Sequence, residues 1–134
     1  MNPTVYLDSS AIVKVVVQEP GWQALETYLQ HHPARAVSRI ASVEVGRAIA
    51  RIDGLDAAAV AERLRLAFQG LILIEFDAEV ASAAARIRPV TLRSLDSIHL
   101  ASALELGDDL VAVVTYDARM KTAAANLQIP IASP

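Results

Sequence analysis

The sequence predicts a single α/β domain, residues 1–134, built on a parallel sheet. Three observations point there. Short apolar runs of strand length alternate with segments of helical period along the whole chain. The most apolar run, Leu110-Val111-Ala112-Val113-Val114-Thr115, is unbroken, as suits a parallel strand covered on both faces. Acids and hydroxyls stand directly after such runs, at Asp8-Ser9-Ser10 and at Asp117. That is where helix caps belong, and where open α/β sheets hold their ligands. A length of 134 residues fits one domain and can bury a core.

Residues 4–7 are the first predicted strand. Residues 10–17 stay open between two states. Val15-Val16-Val17 favours a strand, whereas Asp8-Ser9-Ser10 is good N-cap chemistry for a helix. Glu19-Pro20-Gly21 breaks the chain, and Trp22, Leu25 and Leu29 mark a helix over 22–31 that Pro33 ends. Residues 35–38 form a short second strand, with Ser38 placed to cap the next helix. That helix, over 40–52, puts Ala41, Val45, Ala48, Ile49 and Ile52 on one face and Glu44, Arg47 and Arg51 on the other. Asp56 caps a helix over 57–68 with Val60, Leu64 and Phe68 as its stripe, and Gly70 stops it before a third strand at 71–74. Asp77 caps a helix over 78–88, closed by Pro89. Ser94 opens a helix over 95–106 that is apolar almost all round, hence central. Gly107-Asp108-Asp109 turns the chain into the strand at 110–115. Asp117 then caps a helix over 118–126, and Ile129-Pro130-Ile131 makes a last strand whose proline suits a sheet edge. Trp22, Tyr28 and Phe68 read as core residues.

Composition narrows the chemistry. The hydrophobic fraction is 54%, yet no apolar run approaches the ~20 residues of a membrane span. No basic segment followed by an apolar core opens the chain, so no signal peptide and no membrane contact are expected, and the cytoplasm is the default location. The absence of cysteine excludes disulfides and thiolate metal sites. The net charge of −3 argues against a nucleic-acid partner when taken alone. Setting four acids aside for a bound cation turns that balance slightly positive. Ten of the 12 basic residues are arginine, the side chain suited to bidentate phosphate contacts.

Four acids stand in places that invite a shared role. Asp8 ends the first strand, Asp117 follows the strongest strand, Asp96 lies in the first turn of the apolar helix, and Glu44 sits in the first half of its helix. Right-handed crossovers bring strand C-termini and helix N-termini to one edge, so Asp8, Asp96 and Asp117 can converge there and Glu44 can lean in. Gathered carboxylates repel unless some are protonated or a cation lies among them. An oxygen-only donor set points to Mg²⁺ or Mn²⁺. Each acid also has a plainer reading: Asp8, Asp96 and Asp117 as helix N-terminal partners, and Glu44 as half of an exposed pair with Arg47. His99 is either a ligand or proton shuttle, or a buried histidine satisfied by a neighbour. Ser9 and Thr115 can orient the acids as supporting groups, or are ordinary element ends. Arg39, Arg47 and Arg51 can hold phosphates, with solvated helix surface or a subunit contact as the alternatives.

The chain resembles the PIN domains, and within them the VapC-type toxins of bacterial toxin–antitoxin pairs. The likeness rests on Tyr6-Leu7-Asp8-Ser9-Ser10-Ala11 with Val13-Lys14 and Glu19-Pro20-Gly21, on Ser42-Val43-Glu44-Val45, on Leu95-Asp96-Ser97-Ile98-His99-Leu100-Ala101, and on Val114-Thr115-Tyr116-Asp117. The resemblance implies a three-layer α/β/α fold with a five-stranded parallel sheet of order 3-2-1-4-5. It turns residues 10–17 into a helix. It also implies a Mg²⁺- or Mn²⁺-dependent endoribonuclease, usually a homodimer, silenced by a cognate VapB-type antitoxin. The family's four acids fall on Asp8, Glu44, Asp96 and Asp117. Asp8 and Asp96 are the first choice as direct ligands, with Asp117 and Glu44 holding a second ion or metal-bound water.

Two rivals share the fold class. A phosphotransfer protein of the haloacid-dehalogenase type would carry an acid at position 10, where Ser10 stands. A receiver domain would pair acids after its first strand, where Asp8 stands alone, and place a lysine after the fifth. A catalytically silent PIN-like RNA- or protein-binding module would not need four intact acids.

Overall fold

A computed structural model describes residues 2–134. The chain runs β1 (Thr4–Leu7), α1 (Ser9–Val17), α2 (Trp22–Gln30), β2 (Arg35–Ser38), α3 (Ala41–Ala50), α4 (Ala57–Phe68), β3 (Ile72–Ile74), α5 (Ala78–Arg86), α6 (Ser94–Leu104), a short 3₁₀ turn (Gly107–Asp109), β4 (Leu110–Val114), α7 (Ala118–Asn126) and β5 (Ile131–Ala132). All neighbouring strands are parallel, in the order β3-β2-β1-β4-β5. The expected fold is the observed one. No described helix is long and apolar enough to cross a membrane.

Alternation along the strands divides the core. Val5, Leu7, Val37 and Val114 face one helical layer, where they meet Ala11, Ile12 and Val16 of α1, with Leu25, Leu29, Val45 and Val60. Tyr6, Ala36 and Val113 face the opposite way and meet Leu100, Ala103, Met120, Ala123 and Ala124 of α6 and α7. α5 stands outside α6, with Val80 and Ala84 against Ala101. Fully burying a side chain such as Val16 or Leu100 contributes about 1.5–3 kcal/mol each.

The ambiguous segment at 10–17 is helical because two local signals agree. Asp8 accepts a hydrogen bond from the Ala11 N–H as N-cap, and Gln18 closes the helix in the left-handed region at φ 61°. The three valines still bury Val16 completely, so tertiary packing overrides their strand propensity.

Several expected boundaries shift for identifiable reasons. α3 begins at Ala41 after Ile40, which supplies no capping side chain. Ser38 is therefore not the cap; its hydroxyl accepts from the Ile40 N–H (3.3 Å) and tightens the turn before the helix. α3 also ends at Ala50, and Ile52 lies beyond it, exposed. α5 stops at Arg86 because Arg88 precedes a proline and is disfavoured in helical conformation. Trp22 is half-buried but stands outside the core cluster that Tyr28 and Phe68 pack against. Thr115 falls just past β4, although its N–H still donates to the Ala132 carbonyl (3.1 Å).

Candidate active site

The order of the sheet reverses between β1 and β4, and the C-terminal ends of these two strands form the lips of a crevice. Leu7 pairs with Val114, and the Asp8 N–H extends the ladder to the Val114 carbonyl (3.2 Å). Asp8 is thus fixed by the sheet on one side and by the helix it caps on the other. It is 3% exposed. Its Oδ1 accepts from the Ser10 hydroxyl (2.6 Å) and the Ala11 N–H (3.1 Å), and its Oδ2 accepts from the Thr115 hydroxyl. Burial pushes the Asp8 carboxyl above the usual carboxylate range, and these hydrogen bonds only partly oppose it.

The same hydroxyls tie the two lips together. Thr115 Oγ1 accepts from the Asp117 N–H (3.1 Å), and Ser10 Oγ accepts from the Tyr116 N–H (3.0 Å). Asp117 caps α7 through Oδ1, which accepts from the Arg119 and Met120 N–H groups at 2.8 and 3.3 Å. Its Oδ2 accepts from Arg93 Nη2 (2.9 Å). Partial burial raises the Asp117 carboxyl, but the two N–H groups and the guanidinium outweigh it and hold the carboxyl below its ordinary value. Arg93 also donates through Nε to Asp96 Oδ2 (2.8 Å). One guanidinium therefore bridges the first turn of α6 to the cap of α7.

Glu44 joins from α3. Its Oε1 accepts from the Ser9 hydroxyl (2.7 Å) and from His99 Nε2 (2.6 Å). Behind it, the hydroxyl of fully buried Tyr6 meets His99 Nδ1 (2.7 Å). Nε2 must carry a proton, since a bare nitrogen would set its lone pair against that of the carboxylate. Burial pushes the Tyr6 phenol far above its ordinary range, so it stays neutral. It donates to Nδ1 of a neutral ring or accepts from an imidazolium. Burial raises the Glu44 carboxyl, but His99, Ser9 and the positive Arg93 prevail and lower it. His99 is thus a buried histidine satisfied on both nitrogens, and it orients Glu44.

The four predicted acids are linked but not closed into a cage. Asp8, Asp117 and Asp96 are joined through Thr115 and Arg93, and Glu44 is joined to His99 and Ser9. Among the described residues no three His, Asp or Glu side chains stand close enough to hold an ion as they are. The donor chemistry nonetheless fits a hard cation: oxygen donors only, with hydroxyls fixing the acids from behind. A guanidinium, that of Arg93, stands between two of the acids.

A cavity of about 800 Å³ opens beside the acids, lined by Ser9, Glu44 and Asp117 together with Lys14, Arg47 and Arg51. Arg47 and Arg51 are thus among the residues that line this cavity. Arg39 is not among the lining residues; it is paired with Glu75 at 2.5 Å. Sequence reasoning missed Arg93 and Tyr6 as members of the site, whereas Ser10 is legible beside Ser9 as a supporting group. Arg93 had a signal, its i,i+3 spacing to Asp96. Tyr6 had none, because inside an apolar strand a tyrosine reads as core.

Comparison with known proteins gives the same outline. The family model described as "PIN domain" matches residues 5–126. The chain is 44% identical over 130 residues to Ribonuclease VapC46 of Mycobacterium tuberculosis, covering 97% of each chain. It is 35% identical over 134 residues to Ribonuclease VapC47 of the same species, covering 97% of this chain and 96% of that one. Among solved structures, FitAcB of Neisseria gonorrhoeae superposes with a TM-score of 0.71 at 22% identity, covering 97% of both chains. VapBC2 of Rickettsia felis, bound to a DNA fragment from its promoter, gives 0.69 at 14% identity, over 96% of this chain and 97% of that one.

Proposed function

The chain belongs to the PIN-domain family, among its VapC-type ribonucleases, and we propose that it is a metal-dependent endoribonuclease, the toxin of a toxin–antitoxin pair, using Mg²⁺ or Mn²⁺. The supporting observation is the hydrogen-bond chain that links Asp8, Asp117 and Asp96 through Thr115 and Arg93 at the sheet's reversal, with Glu44 on the adjoining cavity. Asp8 and Asp96 are proposed as direct ligands, with Asp117 and Glu44 completing the set or holding metal-bound water. A bound divalent cation supplies Lewis acidity and a water of lowered pKa for hydrolysis of the phosphodiester. This chain's residues do the rest. Thr115 and Ser10 fix the direction of the Asp8 oxygens, and His99 with Ser9 fixes Glu44 as an anion. Arg47, Arg51 and Lys14 offer positive charge to the RNA backbone along the cavity.

The partners proposed are RNA, a cognate VapB-type antitoxin and a second copy of the chain. The structural neighbours include a toxin–antitoxin complex from Klebsiella pneumoniae. Val43 and Leu95, lining the cavity at 63% and 48% exposure, supply apolar surface that a protein partner would cover.

Purified protein is expected to cleave RNA with Mg²⁺ or Mn²⁺ and not in excess chelator. Asp8→Asn and Asp96→Asn are each expected to abolish cleavage while the circular dichroism spectrum stays native. Full cleavage in chelator overturns the metal. RNA retention without cleavage by the wild type, under all metal conditions, supports the silent binding module instead.

A further inference from the structure

Arg93 has a position that the four-acid reading does not use. It stands at the N-cap of α6 with its side chain 53% exposed. Its guanidinium spans Asp96 Oδ2 (2.8 Å) and Asp117 Oδ2 (2.9 Å). On Asp117 the other oxygen is already occupied by the backbone N–H groups that α7 presents. Oδ2 is therefore the oxygen left for a cation, and Arg93 holds it. Asp96 is 7% exposed, so an unpaired charge there would be costly. Arg93 relieves that cost through its ion pair with Asp96.

We propose that Arg93 is a resident counter-ion that a divalent cation must displace, and so a determinant of which cations the site accepts. The inference rests on the reading of Asp96 and Asp117 as metal-site residues. A guanidinium fork satisfies two carboxylates at once with directed hydrogen bonds. A hydrated monovalent ion brings no more charge and no matching geometry. A dication brings twice the charge to the same oxygens, and the half-exposed arginine can turn into solvent when released.

The test tracks the Nε–H signal of Arg93 by ¹⁵N–¹H NMR on the wild-type chain, titrated with Mg²⁺ and separately with Na⁺ at matched ionic strength. Mg²⁺ is expected to shift or broaden that signal in step with binding measured calorimetrically, and Na⁺ to leave it in place. Arg93→Gln is expected to bind Mg²⁺ about fivefold more tightly, the scale that loss of its two partly exposed ion pairs, to Asp96 and Asp117, carries. Arg93→Lys keeps the charge but loses the fork, and is expected to bind more tightly than wild type as well. Saturation by Mg²⁺ with an unmoved Arg93 signal overturns the inference and leaves the metal reading standing. So does an affinity for Arg93→Lys equal to wild type, which would reduce Arg93 to a distant charge. Absence of Mg²⁺ binding in both wild type and Arg93→Gln removes the metal reading, and this inference with it.

Discussion

Asp8 carries two roles that look like alternatives in the sequence. It caps α1 through Oδ1 and places its other oxygen at the lip of the sheet, so the capping role and the proposed metal-site role are compatible. The cap fixes the side chain that the proposed chemistry needs. Its cost is the burial of a carboxylate. Burial raises the folded-state pKa of Asp8 above the unfolded value, so the native state binds this proton more tightly than the unfolded chain does. Stability then falls as pH rises through that window, and the penalty is fully present above the folded pKa. Glu44 and Asp117 have the opposite sign. Their folded values are depressed, so they add stability above their unfolded values and lose it as pH falls through the folded ones. In metal-free buffer at neutral pH, Asp8→Asn is therefore expected to raise the melting temperature, whereas Glu44→Gln and Asp117→Asn lower it. The gain for Asp8→Asn should vanish below the unfolded carboxylate range. A melting temperature for Asp8→Asn that is unchanged or lower at neutral pH would show that its hydrogen bonds, and not its burial, dominate. Simple mutual repulsion predicts that any of the three changes stabilises the protein, and the partners of Glu44 and Asp117 argue against that.

Among the helices, four aspartates perform the same local task. Asp8, Asp56, Asp77 and Asp117 each accept hydrogen bonds from the first turn of the helix that they precede. All four are legible as caps, because an aspartate before a helical stretch is a strong local signal. The strand in front is what separates them. Asp8 and Asp117 come after adjacent strands at the reversal of the sheet, while Asp77 lies beyond the edge strand β3. Asp77→Ala is accordingly expected to cost about 1 kcal/mol of stability, read by urea denaturation, with no change in RNA cleavage. Loss of cleavage by the folded protein would place α5 in the active site. Other features are hidden for physical reasons. Glu44 reads onto the face away from the core, but it flanks the buried Ala41–Val45 stripe closely enough to reach inward to His99. A helical wheel separates faces but does not say what a neighbouring helix will offer. Arg93 reads as ordinary exposed charge until α7 brings Asp117 beside it.

At the scale of the molecule, the layers and the strands are legible because each apolar run and each helical stripe agree on one architecture. The order 3-2-1-4-5 itself comes from the resemblance, since periodicity alone does not rank the strands. The three-layer core and the acid site depend on the same strand pair, which couples ligand binding to folding. Mg²⁺ that binds only the native chain is expected to raise its stability by about 2.7 kcal/mol at a hundredfold excess over Kd. The increment should track the logarithm of Mg²⁺ concentration in thermal melts and disappear in Asp8→Asn. A shift of equal size in that variant would assign the ion to some other surface.

The bond from Thr115 to Asp8 spans 107 residues. A chain made from its N-terminus exposes β1 and Asp8 early, when neither β4 nor the cap of α7 has been synthesised. The lips of the crevice therefore meet only after residue 117 has cleared the ribosome. Until that moment the growing polypeptide carries single carboxylates and no crevice.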